Sequence, residues 1–295
     1  MTNSRIARLG ALTTALFALT AFSFAGEPAK EMKTVVEKAK ESCITGDLGL
    51  NVVSQYISRG LIFENQGAIL QPYADLYFKL YEGDGFLTKV TLNLGIWNSF
   101  HEEHTDSPPG NSTKSWYEFD FTPGISFTFA KNLTFTPSYY FFLSPNDGFA
   151  TFQGINLALA YDDTGLLGKF ALHPHFTVLF EVENKAGNGP DEGIYYEVGI
   201  APSVPLGPIT LTIPITAGFG SSDFYADDEA YGFFSAGLNA AYQLKFIPEC
   251  LGTWTATAGC TYYNLGDPNK NFNVPLHRDN NTTEWVWSGG LSVAF

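Results

Sequence analysis

From Thr45 to its last residue the chain alternates apolar and polar positions with a period of two. In the most regular stretch, residues 117–129, Tyr117, Phe119, Phe121, Ile125, Phe127 and Phe129 fall on one face. Glu118, Asp120, Thr122, Ser126 and Thr128 fall on the other. This is the pattern of a β-strand whose two faces meet different surroundings. The same split recurs at Val90, Leu92, Leu94 and Ile96 against Lys89, Thr91, Asn93 and Gly95, and at Ile209, Leu211, Ile213 and Ile215 against Thr210, Thr212 and Thr216. About twelve strands are predicted, near 46–58, 68–80, 86–99, 114–129, 132–143, 149–161, 168–183, 192–204, 206–220, 231–245, 252–264 and 284–295. Each reaches the roughly 9–11 residues that cross a bilayer at a tilt, and an even number lets an antiparallel sheet close.

The connections give an independent test, because transmembrane barrels alternate short periplasmic turns with longer outer loops. The even-ranked connections, at 82–85, 130–131, 162–167, 206 with its neighbours, and 246–251, are all short. The longest and most polar, 100–113 and 266–283, are both odd-ranked. The expected fold is therefore an all-β, closed antiparallel transmembrane β-barrel over residues 46–295, with both termini in the periplasm.

Two other segments precede the strands. Arg5 and Arg8 lead into a mostly apolar run, 9–24, and Ser23-Phe24-Ala25 offers small residues where a signal peptidase reads them; residues 1–25 are expected to be a cleaved signal peptide. Residues 26–45 are expected to form a short periplasmic helical segment, with Met32, Val35, Val36 and Ala39 at helical spacing between charged positions. Either it rests against the periplasmic opening of the barrel or it is a floating tail.

Composition separates this barrel from a soluble β-sandwich. Aromatic residues make up 16% and charged residues only 16% of the chain, whereas the water-washed face of a soluble sheet normally carries many Lys and Glu. A weakly charged polar face suits a lumen. Tyr and Trp near predicted strand ends, including Trp116, Tyr117, Tyr139, Tyr161, Trp254, Tyr262, Trp285 and Trp287, suit interfacial girdles against outer-membrane lipids. The net charge of −14 opposes binding to polyanions, so nucleic acid is not an expected partner.

The segment GDLGLNVVSQYISRGLIFENQGAILQPYADLYF resembles the opening of the TorF or Gcw_chp family of porin-like outer-membrane proteins. The resemblance is carried by Ser54-Gln55-Tyr56-Ile57-Ser58-Arg59-Gly60, then Gly67-Ala68 and Gln71-Pro72, within about thirty residues. It implies a barrel in a bacterial outer membrane with a pore function, and it supplies no catalytic residue, cofactor or substrate. The end of the chain, with Trp285, Trp287, Gly289, Leu291, Val293 and terminal Phe295 on one face, is similar to the signal by which the barrel-assembly machinery recognises outer-membrane barrels.

Candidate chemistry is sparse. His173 and His175, spaced by two on a predicted strand, could point the same way with Glu181 and Glu183. A metal would want a third convergent ligand, and residues of a barrel lumen more often line water, so neither a metal nor a cofactor is expected. A lipid-hydrolysing barrel would need a Ser–His pair on the lipid side, and here both histidines fall on the polar face; no enzyme activity is expected. Asp223, Asp227, Asp228 and Glu229 read as a solvated outer loop.

The polar face is informative. The expected pore-lining residues are Arg59, Asp75, Lys79, Lys89, Glu118, Asp120, His173, His175, Glu181, Glu183 and Glu197, whereas the last four strands present mainly Thr, Ser, Gly, Asn and Ala. Two functions fit: a channel for passive diffusion of small hydrophilic solutes, or a structural or adhesive barrel whose long side chains fill its interior. Strand direction gathers Glu118, Asp120, Glu181, Glu183 and Glu197 near the outer mouth, with Arg59 as the main cation there and Lys79, Lys89 and Lys245 at the periplasmic end. Such a ring predicts preference for cations. In an oxidising compartment Cys43 and Cys250, both assigned to the periplasmic side, could pair or remain thiols.

Overall fold

A computed structural model describes residues 42–103, 115–267 and 282–295. The predicted signal peptide and almost all of the predicted helical segment lie outside the described residues, as does most of the two longest connections.

Twelve barrel strands form a closed antiparallel ring. In chain order they are β1 (Ile44–Val53), β4 (Ile69–Glu82), β5 (Leu87–His101), β6 (Trp116–Phe129), β7 (Leu133–Leu143), β8 (Phe152–Tyr161), β9 (His175–Glu183), a two-part strand β10 (Ile194–Ile200) and β11 (Ser203–Leu206), a second two-part strand β12 (Ile209–Thr212) and β13 (Ile215–Gly220), then β14 (Tyr231–Gln243), β15 (Thr253–Leu265) and β16 (Thr283–Ala294). Each pairs with its sequence neighbours, and β1 closes the ring on β16 through Asp47 opposite Ala294 and Val53 opposite Ser288. The two split strands break at Pro202 and Pro214, which have no N–H for the ladder. The remaining strands, β2 (Tyr56–Ser58) and β3 (Leu61–Glu64), pair only with each other.

Both ends of the described chain lie at one end of the barrel, called here the terminal end, together with the short turns; the opposite, loop end carries the longer connections. The outer surface is apolar. Leu48, Leu50, Val52, Ile96, Phe121, Ile125, Ile155, Phe180, Val198, Phe234, Leu238 and Leu291 are all exposed there, and they alternate with the inward polar set. No helix among the described residues is long and apolar enough to cross a membrane; the strands do the crossing.

Two differences from the sequence pattern have local causes. Tyr117, expected outside with Phe119, lies inside, stacked on His101 at 4.5 Å. A register shift between Ser99 and Phe100 puts two residues of β6 opposite one of β5, and the bulge turns Tyr117 inward. The strand expected over 168–183 begins at His175, because Thr164–Leu167 and Gly168–Phe170 close as short helical turns, His173 has φ 49° and Pro174 cannot donate to the ladder.

One tight turn at the terminal end, at Ala130-Lys131, has φ of 49° and 71° at these two residues. Phe129 C=O accepts from Asn132 N–H at 3.1 Å, which closes a four-residue turn whose two central residues have positive φ, the conformation that favours Asn-Gly. Lys131 approaches Asp84 at 3.8 Å, but both side chains are exposed and such pairs contribute little. Lys131→Gly is therefore expected to raise unfolding stability by about 0.5–1 kcal/mol, read from the denaturant midpoint of the purified barrel.

Candidate functional site

The loop end of the lumen is closed by chain folded into it. After β1, Ser54 is held to the wall by its N–H to the Trp287 carbonyl and by Trp287 N–H to its Oγ, both at 2.9 Å. The β2–β3 hairpin then crosses the opening. Its two-residue turn is Arg59-Gly60, with φ of 52° and 82°, and Ile57 and Leu61 are fully buried. Tyr56 packs on Trp97 of β5 at 5.4 Å and on Phe63 of its own hairpin at 5.3 Å, and its hydroxyl donates to Glu118 at 2.8 Å. Glu64 turns the chain back towards β4 by accepting the N–H groups of Asn65 and Gln66, each at 2.9 Å.

The far wall receives the tip. Arg59 lies over the Phe142 ring of β7 at 5.3 Å and donates to Ser58 Oγ at 3.1 Å. Its carbonyl accepts from Tyr225 O–H at 2.7 Å. Tyr225 and Phe224 are fully buried between exposed Asp223 and the exposed acids Asp227, Asp228 and Glu229. The acidic residues behave as the expected solvated loop, but the two aromatics between them form a second part of the plug. Close backbone approach makes this possible: a Cβ on Gly189 would meet the Asp223 carbonyl at 1.8 Å, and one on Gly193 would meet Phe224 N at 2.4 Å. Burial pushes the Tyr56 and Tyr225 hydroxyls well above the usual tyrosine range, so both remain protonated donors.

Four of the predicted pore-lining carboxylates surround this tip. Glu118 and Asp120 come from β6, Glu181 from β9 and Glu197 from β10, all buried. Glu197 accepts from Tyr195 O–H at 2.6 Å; Glu181 accepts from the N–H groups of Ala186, Gly187 and Gly193 at 2.5, 2.9 and 2.6 Å. Arg59 is within electrostatic reach of Glu118 and Glu181.

The other predicted residues disperse. Glu183 is exposed beyond the ring, paired with Gln153, because β9 ends there and β8 shifts register between Gln153 and Gly154. Lys79 pairs with Glu82 at 2.7 Å, and Lys89 lies opposite Glu82, both at the terminal end. Asp75 lies opposite Asp47 on the lumen side. His175 is buried against Gly199.

His173 leaves the face of His175 altogether and turns onto Asp162 and Asp163, at 3.7 and 3.9 Å. One ligand atom from each of these three lies within 4.8 Å of the others. The atoms are already engaged in the turn: Asp162 accepts Thr164 N–H at 2.9 Å, and Asp163 accepts those of Leu172 and His173 at 3.0 and 2.9 Å. Burial works against the Asp163 charge, yet these backbone N–H groups outweigh it and hold the carboxyl below its usual range. An acid with a depressed pKa stabilises the fold above its unfolded value, about 3.9, and loses that contribution as pH falls through the folded value. Asp163→Asn is expected to lower the melting temperature by a few degrees at pH 6, and the gap to close near pH 2; a gap independent of pH would contradict this account of the turn.

Cys43, Cys250 and Cys260 are free thiols, the first two exposed at the terminal end.

Inside the barrel the wall of β14–β16 is unlike the rest. Thr255, Thr257, Ser288, Gly290 and Ser292 face inward yet are only partly buried, so they border solvent-sized space. Opposite them the bulky side chains of β5–β10 are packed. The lumen is thus polar and partly open along one wall, and plugged at the loop end.

Sequence reasoning missed the plug. Its signal was present: Tyr56-Ile57-Ser58 and Leu61-Ile62-Phe63 flank Arg59-Gly60, a hairpin too apolar for a loop washed by water. Tyr195, Phe224 and Tyr225 carried no such signal.

A closed ring of strands, apolar outside and polar within, is the fold of bacterial outer-membrane β-barrels. A solved outer-membrane channel from Pseudomonas putida F1 matches it with a TM-score of 0.50 at 11% identity, over 88% of this chain and 97% of that one. The NanC porin matches with a TM-score of 0.45 at 12% identity, over 83% and 98%. The P. putida toluene transporter TodX matches with 0.43 at 13% identity, over 86% and 90%. At these identities the likeness concerns the fold alone. No protein-family model matches the chain, and neither does any curated protein.

Proposed function

We propose that this protein is an outer-membrane channel for passive diffusion of small hydrophilic solutes, with a preference for cations and its loop end facing outward. The observation that carries the reading is the half-open polar wall of β14–β16 inside a barrel that is apolar outside. A purely structural barrel has no use for small side chains that leave its interior accessible. Cation preference rests on Glu118, Asp120, Glu181 and Glu197, four buried carboxylates around a single guanidinium. In a confined lumen such a ring concentrates cations.

The resemblance of the segment around Ser54–Gly60 supports placing the chain among TorF-like porins, and its residues form the plug. The aromatic outward face of β16 supports delivery by the barrel-assembly machinery. The second reading, a filled structural or adhesive barrel, is favoured by the plug itself. Liposome swelling separates the two: vesicles holding the purified protein should swell in small sugars and amines faster than empty ones, with rates that fall as solute size grows. Swelling equal to empty vesicles, for the intact chain and for a chain lacking residues 55–66, would support the filled barrel.

A further inference from the structure

Arg59 occupies a position that its turn does not favour. In a two-residue turn with both φ positive, Asn or Gly is the unstrained first residue, and an arginine there is strained. The strained residue carries a guanidinium to the Phe142 ring, within electrostatic reach of Glu118 and Glu181. Nearby, the indole N–H of Trp97, opposite Asp120 and 5% exposed, has no hydrogen-bond partner among the described residues. The same neighbourhood holds an aromatic face, Phe142, under the guanidinium. Carboxylates, an aromatic platform and a planar cation together make a recognition site for guanidinium and primary ammonium groups, with Arg59 as its resident occupant.

We infer that Arg59 is an internal stand-in for cationic solutes: a guanidinium- or amine-bearing solute entering the lumen competes with it for the carboxylate ring, frees the β2–β3 hairpin and opens the channel. The inference rests on the channel reading and names its solute class and its gate. Four carboxylates against one guanidinium favour a competing cation of the same geometry. At its tip the hairpin is also tied by the hydrogen bond from Tyr225 O–H to the Arg59 carbonyl, and behind the tip Tyr56, Ile57 and Leu61 are packed. Displacing the side chain removes a charged anchor and leaves the tip on a neutral hydrogen bond and apolar packing.

The test is single-channel recording in planar bilayers, with low-millimolar guanidinium chloride compared with tetramethylammonium chloride at equal ionic strength. Tetramethylammonium carries the same charge but donates no hydrogen bond. Guanidinium should raise the open fraction of the wild-type protein several-fold and tetramethylammonium should not. Arg59→Ala should be open without any addition and insensitive to guanidinium, with folding verified by the heat-dependent gel mobility of the barrel. Should that variant fail to fold, Tyr225→Phe, which removes only the tie to the carbonyl, should raise the basal open fraction and keep the guanidinium response. Equal effects of the two cations, or an Arg59→Ala channel as closed as wild type, would overturn the inference. A protein lacking residues 55–66 that conducts while Arg59→Ala stays closed would overturn the latch and leave the channel intact. A protein lacking those residues that does not conduct would overturn both.

Discussion

Replacing residues 55–66 by a short Gly-Ser turn is expected to raise single-channel conductance several-fold and to leave the barrel folded. Val53 and Ile69 are direct partners across β1 and β4, so a short loop can join them without altering the register. The excised segment contributes Tyr56, Ile57, Leu61 and Ile62, all buried inside the lumen rather than in the wall. Its removal also vacates the space in front of Phe142 and frees Glu118 from Tyr56. The strand ladder, which carries the backbone hydrogen bonds that a membrane cannot satisfy, is untouched. An unchanged but measurable conductance in a folded variant would mean that the hairpin does not limit the current, and it would lose its assigned role.

Neutralising three of the ring carboxylates, Glu118→Gln, Asp120→Asn and Glu181→Gln, is expected to lower conductance several-fold in dilute KCl and to change it little at molar salt. At low ionic strength the ring's field sets the local cation concentration; at about 1 M the Debye length is near 3 Å and bulk ions supply the current. Arg59 stays in this variant, with Glu197 as the remaining ring carboxylate. A loss of conductance equal at both salt concentrations would point to blockage or misfolding rather than to the field. Glu181→Gln has a local cost as well, since its carboxylate accepts three backbone N–H groups of the 184–193 loop. The Glu118→Gln, Asp120→Asn pair without it should therefore show the same salt dependence at reduced size.

What the sequence made legible follows from what a strand must do in a bilayer. One face meets lipid and the other water, so β5, β6 and β12–β13 could be read from Val90, Phe121 and Ile209 and their alternating neighbours. Strand direction placed Glu118, Asp120, Glu181, Glu183 and Glu197 towards the outer mouth; in the structure Glu118, Asp120, Glu181 and Glu197 are buried and Glu183 is exposed. The failures lie where period two breaks. His173 and Pro174 end the pattern before β9, and the local helical turns of 164–170 have no periodicity long enough to detect. Tyr117 changed sides through a bulge that depends on pairing with Ser99 and Phe100, which neither strand encodes alone. Phe224 and Tyr225 are buried by tertiary packing against Gly189 and Gly193, some thirty residues away along the chain. The plug hairpin lies between these cases: its turn was visible, but the direction of its fold, into the lumen, depends on partners from β5, β6 and β7 and on Tyr225.

The measurement that bears most directly on the account is the reversal potential of the purified full-length protein in a planar bilayer under a KCl gradient. The carboxylate ring predicts a cation-selective sign that weakens as total ionic strength rises. An anion-selective sign would contradict the assignment of the ring, and the absence of any protein-dependent current, with the plug present or removed, would contradict the channel itself.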